Sequence, residues 1–342
     1  MILAKISTHL SRFFSGVRKN HAAPVNDAHA ATVYDRVDDL GLVTSYFNPA
    51  GYKSKLHNYE TFKDRIARSN LPLLTIECAF GDEAFTLPPA PDVIQVRTKH
   101  IMWQKERLLN LAIARLPSRC TKVAWLDGDI LFENPGWAVE TSRLLDRYPV
   151  VQPFATAIRL PSGCQDYRGE GDVWRSFGAV YTTHPQWVRK GKYERHGETG
   201  FAWAARRDVV AAVGLYDAGI IGGGDHLIAH AMCGDWVSPC MVRLLGVRTA
   251  VWQHFRQWGA TFYRTVRGEI GYVPGAALHL WHGERSDRYY SLRHRELESF
   301  AFDPAKDLRL GDSACWEWAS DKQALHHWAA EYFTRRHEDG AQ

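Results

Sequence analysis

The 342-residue chain has no CxxC pair and no tight cysteine framework; its six cysteines, at 78, 120, 164, 233, 240 and 315, are scattered. That spacing argues against a disulfide scaffold or a zinc finger and suits reduced thiols in the cytoplasm. No apolar run approaches the ~20 residues needed to cross a bilayer, so no membrane span is expected. An excess of one charge sign is missing too. The formal net charge is +4, but Lys5, Arg12, Arg18 and Lys19 fall in the first 20 residues, leaving 38 basic and 38 acidic residues elsewhere. A neutral body lacks the basic footprint of a nucleic-acid partner. Internal repeats and low-complexity segments are absent as well. Aromatics, by contrast, are abundant: 13 Trp, 14 Tyr and 15 Phe serve a core, and equally serve stacking on sugars or bases.

In residues 1–19, Ile2, Leu3, Ile6, Leu10, Phe13, Phe14 and Val17 recur at three- and four-residue spacing with basic residues between them. Such a basic amphipathic helix suits peripheral contact with an anionic membrane face; a frayed tail or a helix packed on the body is the alternative. Residues 1–37 are therefore read as this segment plus a linker, 38–285 as the main domain, and 286–342 as a C-terminal helical extension.

From about residue 40, strand and helix patterns alternate. Apolar runs at 41–47, 71–80 and 92–98 read as strands, and the 53–68 and 104–116 spacings read as amphipathic helices. The run 121–132 reads as one buried strand carrying two carboxylates, 150–157 as another strand, and 159–176 as a polar, Gly-rich mobile loop. Strands separated by helices argue for an α/β fold with a parallel sheet covered on both faces, which binds ligands at the carboxyl ends of its strands.

Asp127 and Asp129 stand at such an end, with Gly128 between them. Two carboxylates so placed can approach a divalent cation and its phosphate ligands, and hard oxygen donors suit Mg²⁺ or Mn²⁺. Further on, Gly222-Gly223-Gly224-Asp225 lets the backbone pass close to a ligand; the plainer reading makes Asp225 a helix N-cap. Asp225, His226 and His230 are zinc-type residues, but no His-Glu-x-x-His or second cluster accompanies them, so zinc is not expected there.

The order of four motifs resembles inverting β-1,4-galactosyltransferases and related family 2-like enzymes of the GT-A fold. These are Lys105-Glu106-Arg107-Leu108-Leu109-Asn110 before the Asp127-Gly128-Asp129 motif, then Gly222-Gly223-Gly224-Asp225, then His279-Leu280-Trp281-His282. The likeness spans roughly residues 41–290. It implies a GT-A domain, a Rossmann-like mixed sheet with helices on both faces. It also implies a metal-dependent inverting transfer of a sugar from a nucleotide-sugar, most simply a UDP-sugar, to a hydroxyl of a carbohydrate or glycoconjugate acceptor. On it, Asp225 is the catalytic base, Asp129 and His282 (or His279) hold Mn²⁺ or Mg²⁺, and Asp127 contacts metal or ribose. Lys105 or Arg107 faces the diphosphate, Trp203 stacks on a sugar or else packs in the core, and Tyr46, Phe47 and Asn48 sit by the nucleotide base or else are two core aromatics and a turn residue. Gly224, His226 and Leu227 stand where that family has acids, which bears on acceptor contacts.

Three other readings compete: a retaining transferase on the same fold, a carbohydrate- or nucleotide-binding protein without activity, and a haloacid dehalogenase-type phosphatase. The last expects its DxD near the domain start followed by Gly-Thr, whereas Ile130-Leu131-Phe132 follows here.

Overall fold

A computed structural model describes residues 37–340 except 192 and 291, so the amphipathic segment at 1–19 lies outside the described residues. In chain order come β1 (Leu40–Tyr46), α1 (Lys53–Ala67), β2 (Leu73–Phe80), β3 (Val93–Thr98), α2 (Lys105–Arg115) and β4 (Lys122–Leu126). Next are β5 (Ile130–Phe132), α3 (Trp137–Leu145), β6 (Val150–Gln152), β7 (Thr156–Arg159) and β8 (Asp172–Arg175). Three short helices follow, α4 (Phe177–Thr183), α5 (Pro185–Arg189) and α6 (Tyr193–His196), then β9 (Ala202–Arg206) and α7 (Arg207–Val213). Beyond them lie α8 (Gly224–Met232), α9 (Pro239–Leu245), α10 (Ala250–Val266), β10 (Ile270–Tyr272) and β11 (Ala276–His279). The chain continues through α11 (Arg293–Ser299), α12 (Pro304–Asp307), β12 (Leu308–Leu310), β13 (Trp316–Trp318) and α13 (Gln323–Thr334).

Seven strands form the central sheet in the order β10-β6-β9-β4-β1-β2-β3. The sheet is mixed rather than wholly parallel, because β9 runs antiparallel to both β4 and β6. Side chains alternate across it, as a two-residue period requires. Val123 and Trp125 of β4, with Trp203 and Ala205 of β9, enter one core; Ala124, Leu126, Ala202 and Ala204 enter the other. Helix α2 covers the first face with Leu108, Leu109, Ala112 and Ile113, while α1 covers the second with Tyr59, Phe62 and Ile66. The α/β architecture with helices on both faces is thus as expected. Helix α2 stops where Leu116 turns to extended backbone, the conformation a following proline imposes on its neighbour.

Two runs read as single strands are broken. The 121–132 run splits at Asp127-Gly128-Asp129 into β4 and β5, and the 150–157 run splits into β6 and β7. The second member of each pair joins a separate four-stranded sheet, β5-β11-β7-β8. The 159–176 stretch is not all loop, since β7 and β8 pair as an antiparallel hairpin, Arg159 opposite Asp172. The segment after 285 contains the antiparallel pair β12·β13 as well as helices. Its Leu297, Phe302, Trp318, Leu325 and Phe333 belong to the same core as α2 and β4, and the described residues after 36 form one compact unit. Among the described residues no helix is long and apolar enough to cross a membrane, and all six cysteines are free thiols.

Candidate active site

The ends of β4, α2, α8 and β11 converge on a cavity of about 570 Å³. Its lining holds eight basic side chains (Lys55, Lys105, Arg159, Arg243, Arg285, Arg288, Arg293 and Arg336) and four carboxylates (Asp127, Asp129, Glu198 and Asp225). That excess of positive charge favours an anionic ligand.

Lys105, the first residue of α2, lies between two carboxylates, its Nζ 2.5 Å from Asp127 Oδ1 and 2.6 Å from Asp225 Oδ2. Burial alone would push this ammonium down, but the facing charges of Asp127 and Asp225 hold it well above its ordinary range. Asp127 is also fixed through its backbone, its N–H donating to Phe201 O at 2.8 Å. Asp225 is not an N-cap: α8 starts at Gly224, behind the left-handed Gly223. Gly222 and Gly223 have φ of 78° and 91°, and a Cβ at 222 would press on the Trp103 ring at 3.3 Å. Glycines there carry the backbone over that ring and deliver Asp225 into the cavity.

Glu106 carries no sequence signal of its own, yet it lies beneath this group. It is buried, and desolvation, reinforced by Asp225 and Asp127 against the opposing pull of Lys105, raises its carboxyl to about 8. A Cβ on Gly224 would overlap Glu106 Oε1. Glu106 thus sets a carboxylate from α2 directly against the backbone at Gly224.

Asp129 turns the other way. Its Oδ2 is 3.1 Å from His282 Nε2, its Oδ1 is 3.8 Å from His279 Nε2, and the two Nε2 atoms are 3.3 Å apart. Burial would raise the Asp129 carboxyl, but His279 and His282 hold it well below the usual carboxylate range. Asp129 Oδ1 is buried without a hydrogen-bond partner. One carboxylate and two imidazoles facing inward, with an unsatisfied buried oxygen, suit a divalent cation. The sequence left His279 and His282 as alternatives; the fold brings both to Asp129, whereas Asp127 is outside this cluster. Behind His282, Glu338 Oε1 lies 3.4 Å from Nδ1 and also binds Arg336, the carboxylate support that orients a metal-binding imidazole.

Of the other expected residues, only Phe47 reaches the cavity. Phe47 lines the cavity, edge-on to Trp103 at 5.2 Å. Tyr46 is buried against Tyr59, and Asn48 closes a turn by exchanging hydrogen bonds with Tyr52. Arg107 points away, donating to Ala314 O and Asp217 Oδ2. Trp203 is fully buried, its Nε1 donating to Thr199 O. Arg288, Arg293 and Arg336 had no motif to flag them, because each arrives from the C-terminal segment.

No family model and no curated sequence matches the chain. Solved structures with a similar course include the catalytic domain of Drosophila β-1,4-galactosyltransferase 7 bound to xylobiose, at 11% identity and a TM-score of 0.39. That match covers 86% of this chain and 99% of the other. Another is a 4-diphosphocytidyl-2C-methyl-D-erythritol synthase of Anaerococcus prevotii, at 10% identity and a TM-score of 0.31, covering 69% and 86%. A candidate nucleotide-diphospho-sugar transferase of Desulfovibrio desulfuricans matches at 12% identity and a TM-score of 0.30, covering 90% and 100%. Likenesses this distant leave the functional reading to the site.

Proposed function

We propose that the protein is a metal-dependent inverting glycosyltransferase of GT-A type that moves a sugar from a nucleotide-sugar, a UDP-sugar in the simplest case, to a hydroxyl of a glycan acceptor. The observation that carries this reading is the division of labour at the strand ends. Asp129 is grouped with two imidazoles, while Asp225 stands across the same cavity, held by Lys105. Asp129, His279 and His282 would hold Mn²⁺ or Mg²⁺, which when bound supplies positive charge beside the donor diphosphate. Arg288, Arg293 and Arg336 add fixed charge on the same side as the leaving group departs. Asp225, one oxygen fixed by Lys105, takes the acceptor hydroxyl's proton as that oxygen bonds to the anomeric carbon and the bond to phosphate breaks. Phe47 and Trp103 line the cavity with aromatic surface for the base or a sugar.

Calorimetric titration with UDP, GDP and CDP, with and without Mn²⁺, tests the donor site. One nucleotide binds in a metal-dependent manner, and Asp129→Ala abolishes that dependence; if none binds, the reading is wrong. Asp225→Asn keeps nucleotide binding and loses transfer, whereas retained turnover removes Asp225 as the base.

A further inference from the structure

A second group of metal-type ligands lies apart from Asp129. His226 and His230, one turn apart on α8, meet His196 from the end of α6 and Cys240 from the first turn of α9. All four residues are buried, His230 and Cys240 completely. One ligand atom from each lies within 4.8 Å of the others. The geometry points to a structural zinc ion held by His196, His226, His230 and Cys240.

Tetrahedral zinc with ordinary bonds to nitrogen and sulfur sets those atoms roughly 3.6 Å apart. Cys240 Sγ and His230 Nε2 are 3.6 Å apart. Two of the three imidazoles, those of His230 and His196, are oriented as ligands are. His230 Nδ1 lies 2.7 Å from Asp235 Oδ2, and Asp235 is itself pinned by the Val237 and Ser238 N–H groups. His196 Nδ1 lies 2.9 Å from Gly197 O. Each contact assigns the proton to Nδ1 and turns Nε2 inward, the outer support typical of metal-bound histidine. A simple Cys–His pair would need one imidazole, and here three converge on one thiol. Four protein ligands close the coordination sphere, which marks a structural rather than a catalytic zinc. Because His226 follows Asp225 directly, the ion would tie α6 and α9 to the helix that presents Asp225. Sequence spacing does not reveal this site, since His196 and Cys240 lie 30 and 14 residues from His226.

The test is elemental analysis of the untagged full chain, purified without chelator, then of the same chain after dialysis against zinc. The chain holds zinc, and Asp129→Ala, which disables the other cluster, retains one equivalent. Cys240→Ser and His230→Gln in that background lose it. The native chain loaded with Co²⁺ shows the strong visible bands of tetrahedral cobalt and a thiolate-to-cobalt charge-transfer band. This readout needs no substitution and no activity. Failure to bind zinc, a cobalt spectrum without the thiolate band, or zinc that survives Cys240→Ser but not Asp129→Ala overturns the assignment.

Discussion

Replacing Lys105 by Met keeps the length of the side chain and removes the charge that Asp127 and Asp225 share. In the native chain both carboxylates contact the same ammonium, whose side chain is 10% exposed while theirs are 24% and 23% exposed. Removing one member of a buried ionic group costs ~3–5 kcal/mol, because the remaining charges stay desolvated. With a quarter of each carboxylate reaching water, the lower end applies, about 3 kcal/mol at pH 8. The loss depends on pH in a defined sense. Already in the native chain, desolvation raises Asp127 to about 6 despite Lys105; without the ammonium it rises further. A carboxyl raised in the folded state destabilises it above its unfolded value, near ~4, and the penalty grows until the folded value is passed. The variant is therefore close to native near pH 4.5 and falls behind as pH rises towards 8. Urea unfolding of both proteins across that range measures the gap. A pH-independent difference, or one below about 1 kcal/mol at pH 8, would refute the shared-ammonium argument.

Gly224→Ala places a methyl group onto the Glu106 carboxylate, and overpacking at a buried site costs ~1–3 kcal/mol; unchanged thermal stability would show that Glu106 moves aside freely. Glu338→Gln removes the partner of Arg336. Burial alone would raise the Glu338 carboxyl, but Arg336 and Lys55 hold it well below its ordinary value. A depressed carboxyl stabilises the fold above its unfolded pKa, ~4.3, and loses that contribution as pH falls through the folded value. The difference between native and variant, ~3–5 kcal/mol at pH 7 for a buried pair that loses one member, shrinks below pH 4. A gap that widens in acid contradicts the pairing.

Much of the frame was legible before any tertiary contact was known. The apolar runs at 41–47 and 92–98 and the 53–68 and 104–116 spacings match β1, β3, α1 and α2 closely, because each pattern depends on neighbours two to four residues away. The carboxylates at a strand end and the glycines before Asp225 were visible for the same reason. The antiparallel direction of β9 and the breaks at 127–129 and 153–155 were not. An apolar run looks the same whether it stays in one sheet or crosses to another.

Convergence was decided by packing alone. Lys105 and Arg107 are two residues apart on one helix, yet Lys105 enters the cavity and Arg107 binds Asp217 on another side. Trp203 matches Trp125 across β4 and β9, so the two-residue period commits it to the core. Arg288, Arg293, Arg336 and Glu338 reach the site because the C-terminal segment shares the central core, and His196 and Cys240 reach His226 through helix packing. Local residue order determines which elements form and what chemistry each can present. Which of those side chains meet depends on long-range burial, a property of the whole chain that no short window contains.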